Sequence, residues 1–456
     1  MGDRLNVLFL THEPLTETIA GPAIRVWELA HVLATQHRVT IGVPNREART
    51  SPTVAVRCYA DGAMAGLIKD HEITIASGYL LHQHPEIRQL ARYLVMDVYG
   101  PFTLENLNLF AESRMSDRIA LHQAGVEVLL EQLELADFFL CASERQRDYW
   151  LGALSLANRI NPYSYAADPT LRSLIDVVPF GLPSEPPRPT AHGIKGVVPG
   201  IGTEDVVVLW TGGIWDWFDP LTAIEAAAAL ADEVPSLKLY FMGARHPNPD
   251  IPPMIMARRA EELARERGVL NRTVFFNDRW VPYAQRVNFL CDADLAISLH
   301  HEHIETRFSF RTRFLDSFWT GLPLLATSGD VLSDIAGAEG AGVIVGDGDV
   351  EAVQEALRSL ATDPERRRAM AERSRALGQR YTWSRVAAPL LGYCARPQRA
   401  ADLGHADVVM ARMPARGGSR LRLLIAAYRL DGVAGVLRRV ARRVKRLPAR
   451  LRPVRR

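Results

Sequence analysis

Short apolar runs alternating with amphipathic helices, and the fact that this plan starts twice, constrain the fold most. The first unit opens with "NVLFL" (6–10), a loop ending in a glycine, the helix "AIRVWELAHVLATQH" and the strand "RVTIGVP" (38–44). Ile24, Trp27, Leu29, Ala30 and Leu33 recur at helical spacing, so the unit reads as β-α-β with Gly21 at the turn. Further strands are expected at 72–77, 92–98, 136–143 and 174–181, with a helix around 115–134. The second unit opens with "DVVVLWTGG" (205–213), ending in Gly212 and Gly213, followed by a helix with Pro220 near its start. Strands at 237–244, 272–278, 293–300 and 322–327 follow, with helices at 254–267 and 283–291 between them. Apolar strands alternating with helices imply parallel sheets covered on both faces.

The chain has 456 residues, too many for one ordinary core. The stretch "PSEPPRPTAHGIKGVVPGIG" (183–202) is the natural linker. The expected organisation is an α/β chain with two doubly wound parallel-sheet domains facing a cleft. The first spans 1–185 and the second 203–379. A helix at 380–396 packs back on the first, and a basic amphipathic tail covers 397–456. No run of about 20 uncharged apolar residues is present, so no spanning helix is expected. The N-terminal apolar run is too short for a signal-peptide core. The four cysteines, Cys58, Cys141, Cys291 and Cys394, lack metal-type spacing and fit a reducing cytoplasm. The net charge of +2 hides an asymmetry: residues 411–456 hold 15 of the 54 basic residues and one of the 52 acidic ones, leaving a net −12 before them. Within 420–456 apolar residues recur at helical spacing with arginine between them, which suits an anionic membrane surface. RNA, an acidic partner patch or disorder remain open for that segment.

The run "HIETRFSFRTRFLDSFWTGLP" (303–323) carries the densest chemistry. If 309–320 is a helix, Ser309, Thr312, Arg313, Asp316 and Thr320 share a polar stripe opposite Phe310, Phe314, Leu315 and Phe318. Ser309 is then expected as N-cap, aiming free N–H groups at the carboxyl end of strand 293–300, an arrangement suited to phosphate. Arginine forks add bidentate contacts to phosphate oxygens, and a carboxylate at Asp316 suits a sugar diol. The blander reading is a solvated, ion-paired helix. "HHEH" (300–303) with Glu305 could hold a metal or simply line the cleft. "DAD" (292–294) is expected to end a helix and start a strand, and Asp349 to cap the helix "VEAVQEAL".

These motifs resemble, in order and spacing, a family 4 glycosyltransferase of the two-Rossmann GT-B architecture: "GPAIRVWELAHVLA" with "HRVTIGVP", "FLCASERQRDYWLGAL", "VVPFGLP", "VLWTGGIWDWFDPLTAIEA", "WVPY" and "FRTRFLDSFWTGLPLLAT". The resemblance covers about 1–395. It implies a retaining transfer of sugar from a nucleotide-diphosphate donor to a hydroxyl acceptor, with no metal or other cofactor; the basic tail would suit a lipid-linked acceptor, and no nucleic-acid partner is expected. It places Asp316 where the family's second Glu holds the donor ribose. Phe308 stands where the first Glu is usual, which leaves Glu305 as the nearest acid. Gly212 and Gly213 resemble the donor-phosphate loop, but Trp215, Asp216 and Trp217 replace its usual basic residues. Arg311 and Arg313 are therefore expected to supply the cations, with Ser309 and Phe310 beside them. Gly21 resembles the glycine that lets the first domain approach the donor, and Asp97 ends a strand facing donor or acceptor. The catalytic candidates are thus Asp97, Glu305 and Arg311. A sugar-nucleotide epimerase or hydrolase of the same fold, or a non-catalytic binding subunit, would use the same donor.

Overall fold

The computed structural model describes residues 4–408 apart from 112, 244–253, 278 and 406. The first sheet has seven strands: β1 (Asn6–Leu10), β2 (Arg38–Val43), β3 (Ala55–Cys58), β4 (Ile73–Ser77), β5 (Tyr93–Asp97), β6 (Phe138–Cys141) and β7 (Ile175–Val177). Their spatial order is β3-β2-β1-β4-β5-β6-β7. The second has β8 (Val206–Gly213), β9 (Leu237–Gly243), β10 (Val274–Phe276), β11 (Leu295–Ser298), β12 (Leu324–Thr327) and β13 (Gly342–Val345). They lie in the order β10-β9-β8-β11-β12-β13. Neighbouring strands pair in parallel in both sheets.

Burial explains the apolar runs. In β1, Val7 and Phe9 pack on the helix Gly21–Ala34, while Leu8 and Leu10 meet Met64, Ile68 and Ile87 on the other face. β8 repeats this, with Val207 and Leu209 on one side and Val208 and Trp210 on the other. A strand covered on both faces has no solvated side to mark with polar residues. The two edge strands β3 and β13 are absent from the sequence reading. β3 is largely half-buried, and its "AVRC" is short and broken by an exposed Arg57. β13 is similarly short and only its Val345 is fully buried.

Each sheet reverses strand order beside its first strand, at β1/β4 and at β8/β11, and ligands of such sheets bind outside the carboxyl ends at that point. The two switch points face each other. Hydrogen bonds cross between the halves beside them. Tyr99 donates to the Phe310 carbonyl (2.9 Å), Gln146 to the Phe308 carbonyl (3.0 Å), Arg145 to the Gly329 carbonyl (2.9 Å) and Tyr283 to Glu28 (2.9 Å).

Asp292 fastens the linker to the second domain by accepting from the N–H groups of Gly193 (2.7 Å) and Ile194 (2.8 Å). Asp294 accepts from Val207 N–H (2.8 Å), so "DAD" ends one element and starts the next. The chain returns to the first domain at Trp383, whose ring covers Gly181. A Cβ there would lie 2.5 Å from the indole. The returning helix is two pieces, Trp383–Val386 and Ala388–Ala395, and Tyr393 stacks on Phe138 at 4.6 Å. The start of the tail segment is anchored to the first domain. Arg159 and Asp402 form a fully buried ion pair, and His405 stacks on Tyr163. The amphipathic stretch 420–456 lies outside the described residues.

Candidate functional site

A cavity of about 240 Å³ lies between the two switch points, lined by Gly21 and Ile24 of the first domain and by Gly212, Gly213, Trp280, Arg286, Arg313 and Asp316 of the second, among others. The loop after β8 needs glycine at 212, because φ is +76° there, a conformation other residues reach only with strain. Trp280 packs over both Gly213 and Gly243, 3.3 Å from where a Cβ of either would be. Trp215 and Trp217 stack at 5.1 Å with rings 14° apart, so this aromatic loop is held by its own packing.

The helix after β11 differs from its expected form. Residues 304–308 form a separate short helix, and Ser309 ends it rather than starting the next. The Ser309 hydroxyl donates to Thr306 O (3.1 Å) and Asp330 (3.2 Å), so it caps nothing in the cavity. The helix proper is Thr312–Thr320, with Arg311 as N-cap and no side chain on its first N–H groups. Those amides start free of intrahelical partners, and both Thr312 and Arg313 line the cavity. Gly321 closes the helix in the left-handed conformation (φ +77°).

Arg313 is the central group. Its Nη2 donates to the Gly213 carbonyl (2.8 Å), and its guanidinium sits 3.9 Å over the Phe218 ring. Its Nη1 is buried and has no partner among the described residues. Burial, and next the charge of Arg311, lower its pKa to about 9, with Asp316 acting the other way. It remains a cation at neutral pH, but one without a bonded carboxylate. Asp316 lies 3.3 Å from Arg286. Burial raises its pKa against the opposing pull of Arg286. Arg286 in turn stacks on Tyr283 (3.9 Å) and faces Trp319 (5.0 Å).

Of the residues expected at the site, Gly21, Gly212, Gly213, Arg313 and Asp316 are brought together here. Others go elsewhere. Arg311 turns away and grips Glu305 with both nitrogens (3.2 and 2.7 Å), the two being 6% and 2% exposed. The buried carboxylate and guanidinium pair with each other, which turns both away from the cavity wall. Phe310 packs against Tyr99 and Tyr381. Asp97 receives Arg25 bidentately (2.6 and 3.2 Å), and Arg25 also holds the carbonyls of Val178 and Pro179. Phe308, in place of an acid, faces Tyr149 at 4.8 Å. Behind Arg311 lies Glu105, pushed up to about 7 by burial and next by the charge of Glu305. The "HHEH" histidines diverge. His300 is buried against Ser328 O, His301 bonds Asp347, and His303 caps the helix 304–308. Burial, then Arg311, lowers His300 to about 3.

Sequence reasoning missed Arg286 and Arg25. Arg25 carried a signal: it stands beside Ile24, Val26 and Trp27 on a helix whose neighbours are core, and a charge there needs a partner. Arg286 carried none, since its role depends on the start of helix Arg286–Asp292 reaching Asp316 from another part of the chain.

Residues 225–392 match a family model described as glycosyl transferase-like. No curated protein matches by sequence. Among solved structures the chain is similar to a sucrose-phosphate synthase from Thermosynechococcus elongatus (15% identity, TM-score 0.59, 85% of this chain and 97% of that one). It is also similar to Anabaena Alr3699/HepE in complex with UDP-glucose (13%, TM-score 0.60, 85% and 100%). WaaG, a glycosyltransferase involved in lipopolysaccharide biosynthesis, is a third (16%, TM-score 0.58, 86% and 100%). The two parallel-sheet domains are thus those of the GT-B fold, and their second half carries a glycosyl transferase-like region.

Proposed function

We propose that the protein is a glycosyltransferase that takes a sugar from a nucleotide-diphosphate donor and gives it to a hydroxyl acceptor, with retention and without a catalytic metal. The observation that carries this is Arg313: a cation in the cleft whose buried Nη1 has no partner among the described residues, beside the Gly212–Gly213 turn and an uncapped helix start. A diphosphate supplies the charge this arrangement lacks. Asp316, facing the same cavity, suits the ribose diol, and the aromatic wall of Trp280 suits a base. UDP-glucose and UDP in complexes of the HepE neighbour make uridine donors the first to try.

In this reading the protein works by placement and charge. Arg313 and the free amides stabilise the diphosphate as it departs, and the closed cleft keeps water from the activated sugar. The acceptor enters from the first domain, past Gly21. Neither Asp97 nor Glu305 is free to act as a base, since each is held by an arginine. That supports proton transfer to the leaving phosphate rather than to a side chain. We place the protein in the cytoplasm, with 420–456 meeting an anionic membrane face near a lipid-linked acceptor. No helix among the described residues is long and apolar enough to cross a membrane.

The test is turnover. Nucleotide sugars are supplied with hydroxyl acceptors, and released nucleotide diphosphate and the product's anomeric configuration are read by NMR. Acceptor-dependent release with retained configuration is expected. Donor turnover to a free, epimerised sugar without acceptor would favour the epimerase reading, and tight binding with no turnover a scaffold.

A further inference from the structure

A second constellation lies outside the cleft. Asp219 ends the loop after β8, His301 begins the loop after β11, and Asp347 sits in the turn after β13. One ligand atom from each lies within 4.8 Å of the other two. We propose that these three side chains form a binding site for a divalent transition-metal ion of the Zn²⁺ class.

The donor set selects the ion. One imidazole and two carboxylates suit Zn²⁺ or Co²⁺, whereas Ca²⁺ and Mg²⁺ prefer oxygen alone. His301 Nδ1 and Asp347 Oδ1 are 3.0 Å apart. Ligand atoms around a tetrahedral ion with bonds of about 2.0–2.1 Å stand roughly 3.3–3.5 Å apart, so this pair is near its bound spacing. Both carboxylates are already oriented. Asp347 Oδ2 takes the Glu302 N–H (2.8 Å), leaving Oδ1 toward His301, and Asp219 Oδ1 takes the Thr222 N–H (3.1 Å).

A separate observation points to a cation. Asp219 is only 3% exposed, and the single hydrogen bond of its carboxylate among the described residues is to that backbone N–H. Asp219 Oδ1 caps the helix Pro220–Ala229, and its second carboxylate oxygen has no hydrogen-bond partner among the described residues, so it is left to share an ion with His301 and Asp347. His301 and Asp347 remain partly open, which gives an ion a way in and leaves room for water as a further ligand. The bound ion would clamp the loop bearing Trp215 and Phe218 to the loop after β11. The consequence for Arg313, which lies on Phe218, rests on the function proposed above; the site itself does not.

Metal-stripped full-length protein titrated with Co²⁺ reads the site directly through the visible absorption of the bound ion, and Zn²⁺ then displaces it. One equivalent is expected. His301→Gln and Asp347→Asn should each weaken Zn²⁺ competition at least tenfold while leaving the metal-free melting temperature unchanged. Asp219→Asn, whose amide oxygen can still accept from Thr222, should do the same. No Co²⁺ spectrum at micromolar protein, or one that persists unchanged in His301→Gln and Asp347→Asn, overturns the proposal. Glycosyl transfer plays no part in this readout.

Discussion

Replacing Arg313 with methionine separates binding from stability. The change keeps the length and apolar stem of the side chain and deletes the guanidinium. Nothing anionic among the described residues is bonded to that group, so the free protein loses one hydrogen bond, to the Gly213 carbonyl, and the contact with the Phe218 ring, and is relieved of a buried cation. The variant should therefore melt at the same temperature as the parent or higher. Donor binding should move the other way. A charge-assisted hydrogen bond contributes about 1.5–3 kcal/mol, which converts to a loss of roughly 10- to 150-fold in affinity for nucleoside diphosphate. Isothermal titration with the best-binding diphosphate, beside a thermal melt of the free protein, gives both numbers. Unchanged affinity would refute the assignment of Arg313 to the diphosphate. A large fall in melting temperature would show instead that the guanidinium has a structural partner.

Arg311→Met should behave in the opposite way. It strands Glu305 in the interior and should destabilise folding by about 3–5 kcal/mol in denaturant titration, and adding Glu305→Leu should recover much of that. Asp316→Ala should weaken donor binding at least tenfold, about 1.4 kcal/mol, by calorimetry. Gly181→Ala should lower the melting temperature by driving a methyl into Trp383, at a cost of about 1–3 kcal/mol. The raised pKa of Glu105 predicts a pH effect. Folding disfavours its carboxylate, so its penalty is absent at low pH, grows as pH rises through 4.5, and is complete just above 7. Glu105→Gln should gain melting temperature relative to the parent over that window and show no relative gain below it.

The fold was legible because it rests on local pattern. Buried parallel strands write themselves as unbroken apolar runs, and the linker as proline and glycine. The edge strands β3 and β13 were hidden because a short, half-buried edge lacks that signature. At the cavity, the sequence reading grouped Arg311 with Arg313, and the structure separates them. The missing basic residues after Gly213 put Arg311 beside Arg313 as the expected cations, although Arg311 lay off the helical polar stripe; the chain breaks between Phe308 and Thr312 and turns Arg311 toward Glu305. Spacing arguments hold within one helix and fail across a break that no proline or glycine announces. Ser309 misled for the same reason: a good capping residue also ends a helix when its hydroxyl reaches back to Thr306. Asp97 looked functional because it ends a strand, and its partner Arg25 lies 72 residues away, beyond any local rule.

A crystal structure with the tightest-binding nucleoside diphosphate measures most directly what the account asserts. The β-phosphate oxygens should stand within about 3 Å of Arg313 Nη1 and of the amides at the start of helix Thr312–Thr320, with the ribose hydroxyls on Asp316. A diphosphate seated on Arg311, or outside the cavity between Gly21 and Gly212, would contradict it.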